Sequence, residues 1–130
     1  MIVPDASVLA VALLDDGASG KAVRERLLGA ELAAPELIDL EVLSILRKLV
    51  RSTRLSTERA ALAIIDLADL PMERMPHAGL IRRIWQLAEN VTPYDASYVA
   101  LAELLSATLL TSDARLARTP GPQCHIEVIE

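Results

Sequence analysis

The sequence predicts an α/β fold in which helices cover both faces of a parallel sheet. Short apolar segments typical of strands alternate with helical segments along the chain, an order typical of parallel sheets. The apolar fraction of 52% is aliphatic and alanine-rich, without Phe, which suits close packing of helices on a sheet. The 130 residues are enough for one domain with a buried core. No repeat or linker divides the chain, so we expect a single domain over residues 1–130.

The predicted strands are short and mostly apolar. The first ends at Asp5-Ala-Ser7, a turn that leads into a helix. The five segments are residues 1–4, 32–34, 72–75, 107–111 and 126–129. In parallel sheets ligands bind beyond the carboxyl ends of the strands. Asp5 follows the first predicted strand and Asp113 follows the fourth, so both are expected at that edge.

The predicted helices are delimited by capping residues, glycine and proline. Ser19 is expected to cap the second helix and Gly29 to end it, while Pro35 precedes the third. Residues 92–95, Thr-Pro-Tyr-Asp, match a capping box with Pro at the first helical position. The predicted helical segments are residues 8–14, 20–28, 36–50, 57–70, 78–89, 93–105 and 113–117.

The net charge of −5 taken alone argues against a nucleic-acid-binding protein, which is usually basic. A cluster of carboxylates that holds a divalent metal would nevertheless carry much of this charge and be neutralised when loaded. Of the 13 basic residues only Lys21 and Lys48 are not Arg, and Arg is well suited to binding phosphate. The net charge therefore does not decide between these classes of function.

The single cysteine, Cys124, cannot form an internal disulfide, which favours a reducing compartment. The chain begins without a basic region followed by a long apolar stretch, so we expect no signal peptide. Charged residues interrupt every apolar run before it reaches membrane-spanning length. We expect a cytoplasmic protein with no membrane association.

Glu41 is the most informative acidic residue, because it falls on or beside the apolar face of its predicted helix. Its neighbours three and four positions away are Leu37, Ile38, Ser44 and Ile45. A buried, unpaired carboxylate costs several kcal/mol or loses its charge. Two interpretations stay open at this point: Glu41 is a functional carboxylate, or an edge residue that reaches solvent or pairs with an arginine such as Arg47.

Three aspartates also have ordinary structural interpretations. Asp5 and Asp113 could each cap the helix that follows, and Asp95 is the third residue of the capping box. The joint pattern is less ordinary, because it places three aspartates at strand ends or helix starts and one glutamate on an apolar helix face. Six other acidic residues are interpreted as turn, helix-dipole or solvated positions: Asp15, Asp16, Asp39, Asp66, Asp69 and Glu103. His77 and His125 match no metal-binding spacing.

Four segments together resemble the PIN-domain family, in particular the VapC-type toxins of bacterial toxin–antitoxin pairs. They are Ile-Val-Pro-Asp-Ala-Ser at residues 2–7, the Pro-led helix with one glutamate at 35–47, and the segments 94–103 and 109–117 that contain Asp95 and Asp113. The resemblance covers the chain to about residue 118. It implies a three-layer α/β/α fold with a five-stranded parallel sheet, endonucleolytic cleavage of RNA, a small antitoxin as partner, and a homodimer.

The resemblance also implies a Mg²⁺ or Mn²⁺ site built from Asp5, Glu41, Asp95 and Asp113, with Ser7 and Thr111 in supporting positions. On this hypothesis Asp5 and Asp95 are the principal ligands and Asp113 completes the site, directly or through water. Glu41 orients or deprotonates the attacking water. The arginines expected to bind flanking phosphates are Arg47, Arg82 and Arg115.

Two alternative functions remain at this stage. A phospho-acceptor signalling domain also places acidic residues at the carboxyl edge of a parallel sheet and binds Mg²⁺. It resembles this chain less, because neither Lys21 nor Lys48 follows a late strand. The other alternative is a catalytically idle PIN module that only binds a partner, against which the complete set of four acidic residues argues.

Overall fold

The computed structural model describes residues 1–130 and contains a five-stranded sheet with strand order β3-β2-β1-β4-β5. All neighbouring strands are parallel. The strands are β1 (Ile2–Pro4), β2 (Leu32–Pro35), β3 (Met72–Met75), β4 (Thr108–Thr111) and β5 (Ile126–Val128). The predicted α/β class is thus confirmed, and no strand boundary differs from its predicted position by more than one residue.

Seven α-helices connect and cover the strands. They are α1 (Ala6–Leu14), α2 (Ala18–Leu27), α3 (Leu37–Arg51), α4 (Thr57–Asp69), α5 (Ile81–Gln86), α6 (Pro93–Leu105) and α7 (Ala114–Arg118). A 3-10 turn over Ala78–Leu80 precedes α5. None of the helices combines the length and the apolar composition needed to cross a bilayer.

Three helix predictions were wrong in their boundaries. The first helix, α1, begins at Ala6, two residues before its predicted start, because the Asp5 side chain caps it by accepting from the Val8 backbone N–H. Ser19 does not cap α2, which begins at Ala18 with Gly17 as its N-cap and no side-chain cap. The turn between α1 and α2 is tight, since a Cβ on Gly20 would lie 1.8 Å from the Asp15 carbonyl oxygen. Gly29 follows the end of α2 with φ +77°, the left-handed conformation expected after a helix.

The predicted helix over residues 78–89 is shorter than expected, because it opens as a 3-10 turn and α5 ends at Gln86. After Gln86 the backbone hydrogen bonds include ones with i→i−3 spacing. The Leu87 N–H is shared between the carbonyls of Arg83 and Ile84 at 3.2 Å each, and the Ala88 N–H donates to Trp85 at 3.0 Å. Shared and i→i−3 bonds of this kind are how helices commonly terminate.

The core lies on both faces of the sheet, because successive side chains of a strand point to opposite faces. Val3 and Leu109 belong to the larger cluster, together with residues of α3 and α6. Ile2 and Leu110 belong to a smaller cluster with Val8 of α1 and Val23 of α2. Helix α6 is buried without interruption from residue 96 to residue 102, so its position against the sheet is fixed on all sides.

Glu103 was expected on a solvated helix face, and this prediction was wrong. Its carboxylate accepts hydrogen bonds from Arg83 Nε at 2.7 Å and Nη2 at 3.0 Å, and from the Gln123 backbone N–H at 2.7 Å. The glutamate side chain is only 15% exposed, because α6 is buried on more sides than an amphipathic helix. This contact joins α5 and α6 to the loop before β5. Burial raises the pKa of Glu103, but the hydrogen bonds from Arg83 and Gln123 together outweigh it and hold the pKa below its usual value.

Replacing Glu103 with Ala should lower the free energy of unfolding by about 2 kcal/mol, because it leaves a partly buried guanidinium and a backbone N–H without their acceptor. Urea denaturation measures the change. Glu127→Ala is the matched control: it breaks the bidentate pair with Arg26, whose side chains are more exposed, at 39% and 31%, and should cost less than about 1 kcal/mol. Equal losses in the two variants would contradict the structural role assigned to Glu103.

Candidate active site

Asp5, Glu41 and Asp95 line one pocket of about 500 Å³ at the carboxyl edge of the sheet, here called the acidic pocket. Asp5 directly follows β1, Glu41 lies in α3 after β2, and Asp95 lies in the first turn of α6. The remaining residues that line this pocket are Ala6, Ser7, Leu37, Leu40, Ser44, Ile45, Lys48, Tyr94 and Tyr98. Three of the four carboxylates singled out from the sequence therefore face a common space.

The Asp5 carboxylate is held by three hydrogen bonds. Its Oδ1 accepts from the Val8 backbone N–H at 2.9 Å, which caps α1, and from the Ser7 hydroxyl at 2.8 Å. Its Oδ2 accepts from the Thr111 hydroxyl at 2.5 Å. Thr111 ends β4 and is fully buried. Both residues expected to support the site thus contact Asp5 directly and fix its orientation.

Asp113 lies beside the acidic pocket rather than among the residues that line it. Its backbone N–H donates to the Thr111 hydroxyl oxygen at 3.0 Å, and its Oδ1 accepts from the Arg115 backbone N–H at 2.9 Å, which caps α7. The same hydroxyl of Thr111 therefore joins Asp113 to Asp5. Nearby, the hydroxyl oxygens of Ser7 and Ser112 are 3.0 Å apart and share a hydrogen bond.

Glu41 is held by Tyr98, a residue that the sequence analysis did not assign to the site. The Tyr98 hydroxyl donates to Glu41 Oε1 at 2.6 Å, and the tyrosine is only 2% exposed. No ion pair joins Glu41 to Arg47, so that interpretation of the glutamate was wrong. A tyrosine in a helix of small and aliphatic residues could have signalled this contact, because a buried phenol needs a polar partner.

Burial and like charge shift the ionisation of the pocket residues. Burial raises the pKa of Glu41 by more than the Tyr98 hydrogen bond lowers it, and the charges of Asp95 and Asp5 raise it further. Burial also raises the pKa of Tyr98 far above its ordinary value, as does Glu41, so the phenol stays protonated as a donor.

The pKa of Asp95 is raised as well, first by partial shielding of its carboxyl from water and then by the charges of Asp5 and Asp113. The hydrogen bond to the Thr92 side chain opposes this shift. Asp95 as a whole residue is exposed, and its backbone N–H donates to the Thr92 hydroxyl oxygen at 3.2 Å, as expected for the capping box. The carboxylates thus lie close enough to influence one another's protonation.

The acidic side chains do not converge on one point. No group of three or more Asp, Glu, His or Cys residues is placed to hold one metal ion. The oxygens available at the pocket are nevertheless those of carboxylates and hydroxyls, the ligands that hard divalent cations prefer. Asp95 is the exposed member of the set, so its side chain has the most room to reorient.

None of the three arginines expected to bind phosphate lines the acidic pocket. Arg47, Arg82 and Arg115 are all exposed, and Arg115 Nε lies 3.8 Å from Asp113 Oδ1. The cationic side chain that does line the pocket is Lys48, two helical turns after Glu41 on α3. The spacing of seven residues from Glu41 could have identified it, since positions i and i+7 share a helix face.

The chain is similar to the proteins of a known family. The PIN domain family model matches residues 2–122. The chain is 42% identical over 129 residues to VapC ribonuclease Mb0985 of Mycobacterium bovis, covering 99% of this chain and 98% of the relative. It is 44% identical over 128 residues to ribonuclease VapC1 of Mycobacterium tuberculosis, covering 98% and 96%.

Two solved structures share the fold. They are VapBC2 from Rickettsia felis bound to a DNA fragment from their promoter, and FitAcB from Neisseria gonorrhoeae. Each has a TM-score of 0.68 at 16% identity; the first match covers all of both chains and the second covers 97% of this chain and 96% of the other. The family model spans nearly the whole sequence, and the relatives match over almost their full length. The chain therefore belongs to the PIN-domain family and, within it, to the VapC ribonucleases.

Proposed function

We propose that the chain is a metal-dependent endoribonuclease, the toxin of a VapBC-type toxin–antitoxin pair, and that RNA is hydrolysed in the acidic pocket. One observation carries the proposal: the carboxylates of Asp5 at the end of β1, Glu41 of α3 and Asp95 of α6 face a common space, with Asp113 beside it. The relatives named as ribonucleases match over nearly the whole chain, which supports the same activity here. PIN-family membership leaves the phospho-acceptor alternative without support.

The donor set fits a hard divalent cation such as Mg²⁺ or Mn²⁺, since it consists of oxygens and carries several negative charges. Asp5 and Asp95 are the principal ligands in this proposal, and Asp113 completes the site directly or through water. No three acidic side chains converge on one position, which is compatible with Mg²⁺, since that ion is commonly held by one or two carboxylates and several waters; the exposed Asp95 has the most room to adjust. When bound, the ion lowers the pKa of a water molecule and offsets charge on the scissile phosphate.

Glu41 is the residue proposed to orient or deprotonate the attacking water. Its Oε1 is occupied by the Tyr98 hydroxyl, and this bond fixes the carboxylate while the second oxygen is left for the water. A general base works best when its pKa lies near the operating pH, and the pKa of Glu41 is shifted in that direction by burial and by Asp95 and Asp5. Tyr98 acts here as a positioning residue.

Two protein partners belong to the proposal, and exposed apolar side chains support both. Leu43 of α3 and Leu62 and Ile65 of α4 are exposed, and they offer an apolar face to an amphipathic segment of the antitoxin. A groove between α3, α5 and α6 exposes Leu40, Ile81, Trp85 and Tyr94, and it is the face proposed for a homodimer. The single Cys124 suits a reducing compartment such as the cytoplasm.

Asp95→Asn should lower kcat for RNA cleavage roughly a hundredfold or more, because it removes a charged ligand without changing side-chain shape. Cleavage of total RNA in Mg²⁺ or Mn²⁺, followed by sequencing of the new RNA ends, measures the loss. Asp69→Asn at the exposed C-terminal end of α4 makes the same chemical change outside the pocket and should leave turnover unchanged. Wild-type turnover in Asp95→Asn would contradict the ligand assignment, and an inactive wild-type protein would favour the idle PIN module.

Glu41→Gln should stabilise the metal-free protein at neutral pH. Burial and neighbouring charges raise the folded-state pKa of Glu41 above its ordinary 4.5, so the folded protein holds this proton more tightly than the unfolded chain. The stability contributed by protonated Glu41 is present below pH 4.5 and is lost as pH rises through the folded pKa. The variant should therefore melt with wild type below pH 4.5 and about 1–3 °C higher at neutral pH.

Thermal melts in EDTA across this pH range test that difference. Glu89→Gln, at an exposed turn, is the control and should track wild type at every pH. Excess Mg²⁺ or Mn²⁺ should raise the Tm of wild type by mass action and more than that of Glu41→Gln. A difference in Tm that does not depend on pH, or a wild type whose Tm is insensitive to both ions, would count against the charged pocket as a metal site.

Trp85→Asp should convert the proposed homodimer to a monomer, because it places a charge in the groove proposed as the dimer face. Trp85 is 76% exposed, so the fold should lose little stability, and light scattering measures the mass. Arg118→Asp on α7 introduces the same side chain at another exposed position and should leave the dimer intact. A wild-type protein that is monomeric at micromolar concentration would contradict the dimer proposal.

A further inference from the structure

We propose that Lys48 binds an RNA phosphate next to the scissile bond and is the contact that draws the polyanion into the acidic pocket. This inference rests on the proposed ribonuclease function and names a substrate-binding residue for it. Lys48 is the one cationic side chain among the residues that line the pocket. It faces the same space as Asp5, Glu41 and Asp95.

The helix geometry of α3 places Lys48 at the end of a continuous pocket wall. Seven residues separate it from Glu41, or about 10 Å along the helix axis. Ser44 and Ile45 lie between them and also line the pocket. A phosphate bound at Lys48 would therefore lie in the same pocket as Glu41 but at a distance from its carboxylate. This is the position expected for the phosphate of a nucleotide that flanks the scissile bond.

The Lys48 ammonium has no protein partner that would compete with RNA. It takes part in none of the six ion pairs of the structure, and it is exposed. By contrast, Arg74 is bound to Asp39 and to the carbonyl oxygens at the end of α4, and Arg83 is bound to Glu103. The charge of Lys48 is thus free for an external anion.

Electrostatics explains why this single charge matters. The chain carries a net charge of −5, and the pocket gathers three carboxylates, so an approaching phosphate backbone is repelled until cations offset this field. Lysine binds phosphate as a point charge. Arg47 precedes Lys48 on the same helix and carries the same charge but does not line the pocket, which makes it a matched control.

A phosphate contact outside the reacting group is equally strong in the ground state and in the transition state. Its loss should therefore raise KM and leave kcat nearly unchanged. Each phosphate contact to single-stranded nucleic acid also contributes about 0.7 to the slope of log K against log salt concentration. A residue that only stabilised the fold would alter neither the salt slope nor the ratio of KM to kcat in this way.

The experiment compares wild type with Lys48→Ala, Lys48→Arg and Arg47→Ala, using cleavage kinetics and fluorescence anisotropy with a labelled, mixed-sequence single-stranded RNA over a range of salt concentrations. Lys48→Ala should raise KM and weaken RNA binding about tenfold, and reduce the salt slope by about 0.7. Lys48→Arg should retain both properties, and Arg47→Ala should match wild type. Thermal melts of all four proteins should coincide.

Equal effects of Lys48→Ala and Arg47→Ala, or a loss confined to kcat, would overturn the assignment of Lys48. The ribonuclease proposal is tested separately from the role of Lys48, because it depends on whether wild type cleaves RNA. If wild type binds RNA but does not cut it, the ribonuclease proposal fails while the salt slopes still decide the role of Lys48. A wild type that neither cuts nor binds RNA would overturn both.

Discussion

The hydrogen bond from the buried Thr111 hydroxyl to the Asp5 carboxylate is the contact on which the acidic pocket depends. It joins the carboxyl ends of β1 and β4, which are neighbours in the sheet. The other oxygen of Asp5 caps α1. One carboxyl group therefore joins two strands, begins a helix and lines the pocket. Thr111 also receives the Asp113 backbone N–H. The positions of two of the four acidic residues are therefore determined by the strands rather than by the loops that follow them.

The structural and chemical interpretations of the aspartates are not exclusive. Asp5 and Asp113 cap α1 and α7, while Asp95 lies in the first turn of α6. Each helix start supplies backbone N–H groups and a favourable dipole for a carboxylate, and this partly offsets the cost of gathering like charges at one edge. The capping positions, which gave each aspartate a structural interpretation in the sequence, thus also help to stabilise the acidic cluster. Glu41 lies within α3, away from any helix start, so no free backbone N–H group stabilises its carboxylate. The hydrogen bond from the Tyr98 hydroxyl stabilises it instead.

The sequence was sufficient for features that depend on short-range patterns. The five strands and the capping box at residues 92–95 were placed correctly, since each follows from local propensity and capping chemistry. The Tyr98 contact spans 57 residues of chain, and Arg83 meets Glu103 across 20; both depend on how helices pack, which periodicity does not reveal. Arg47, Arg82 and Arg115 were expected at phosphate contacts, but none of them lines the pocket, whereas Lys48 does. The spacing of seven residues from Glu41 was the sequence signal for that position, since i and i+7 share a helix face.

Under the proposed function, the charges of the pocket imply an order of binding. Without an ion, three carboxylates repel both one another and an RNA backbone, and a single Lys48 charge cannot offset them. A divalent cation is attracted by the same field, and it removes the repulsion that, after burial, is a further cause of the raised pKa values of Glu41 and Asp95. Once it is bound, the charges of the three carboxylates, the ion and Lys48 cancel, so the pocket no longer repels a phosphate and Lys48 can attract one at close range. Metal binding should therefore precede productive RNA binding, and the net charge of −5 that argued against a nucleic-acid-binding protein becomes compatible with one.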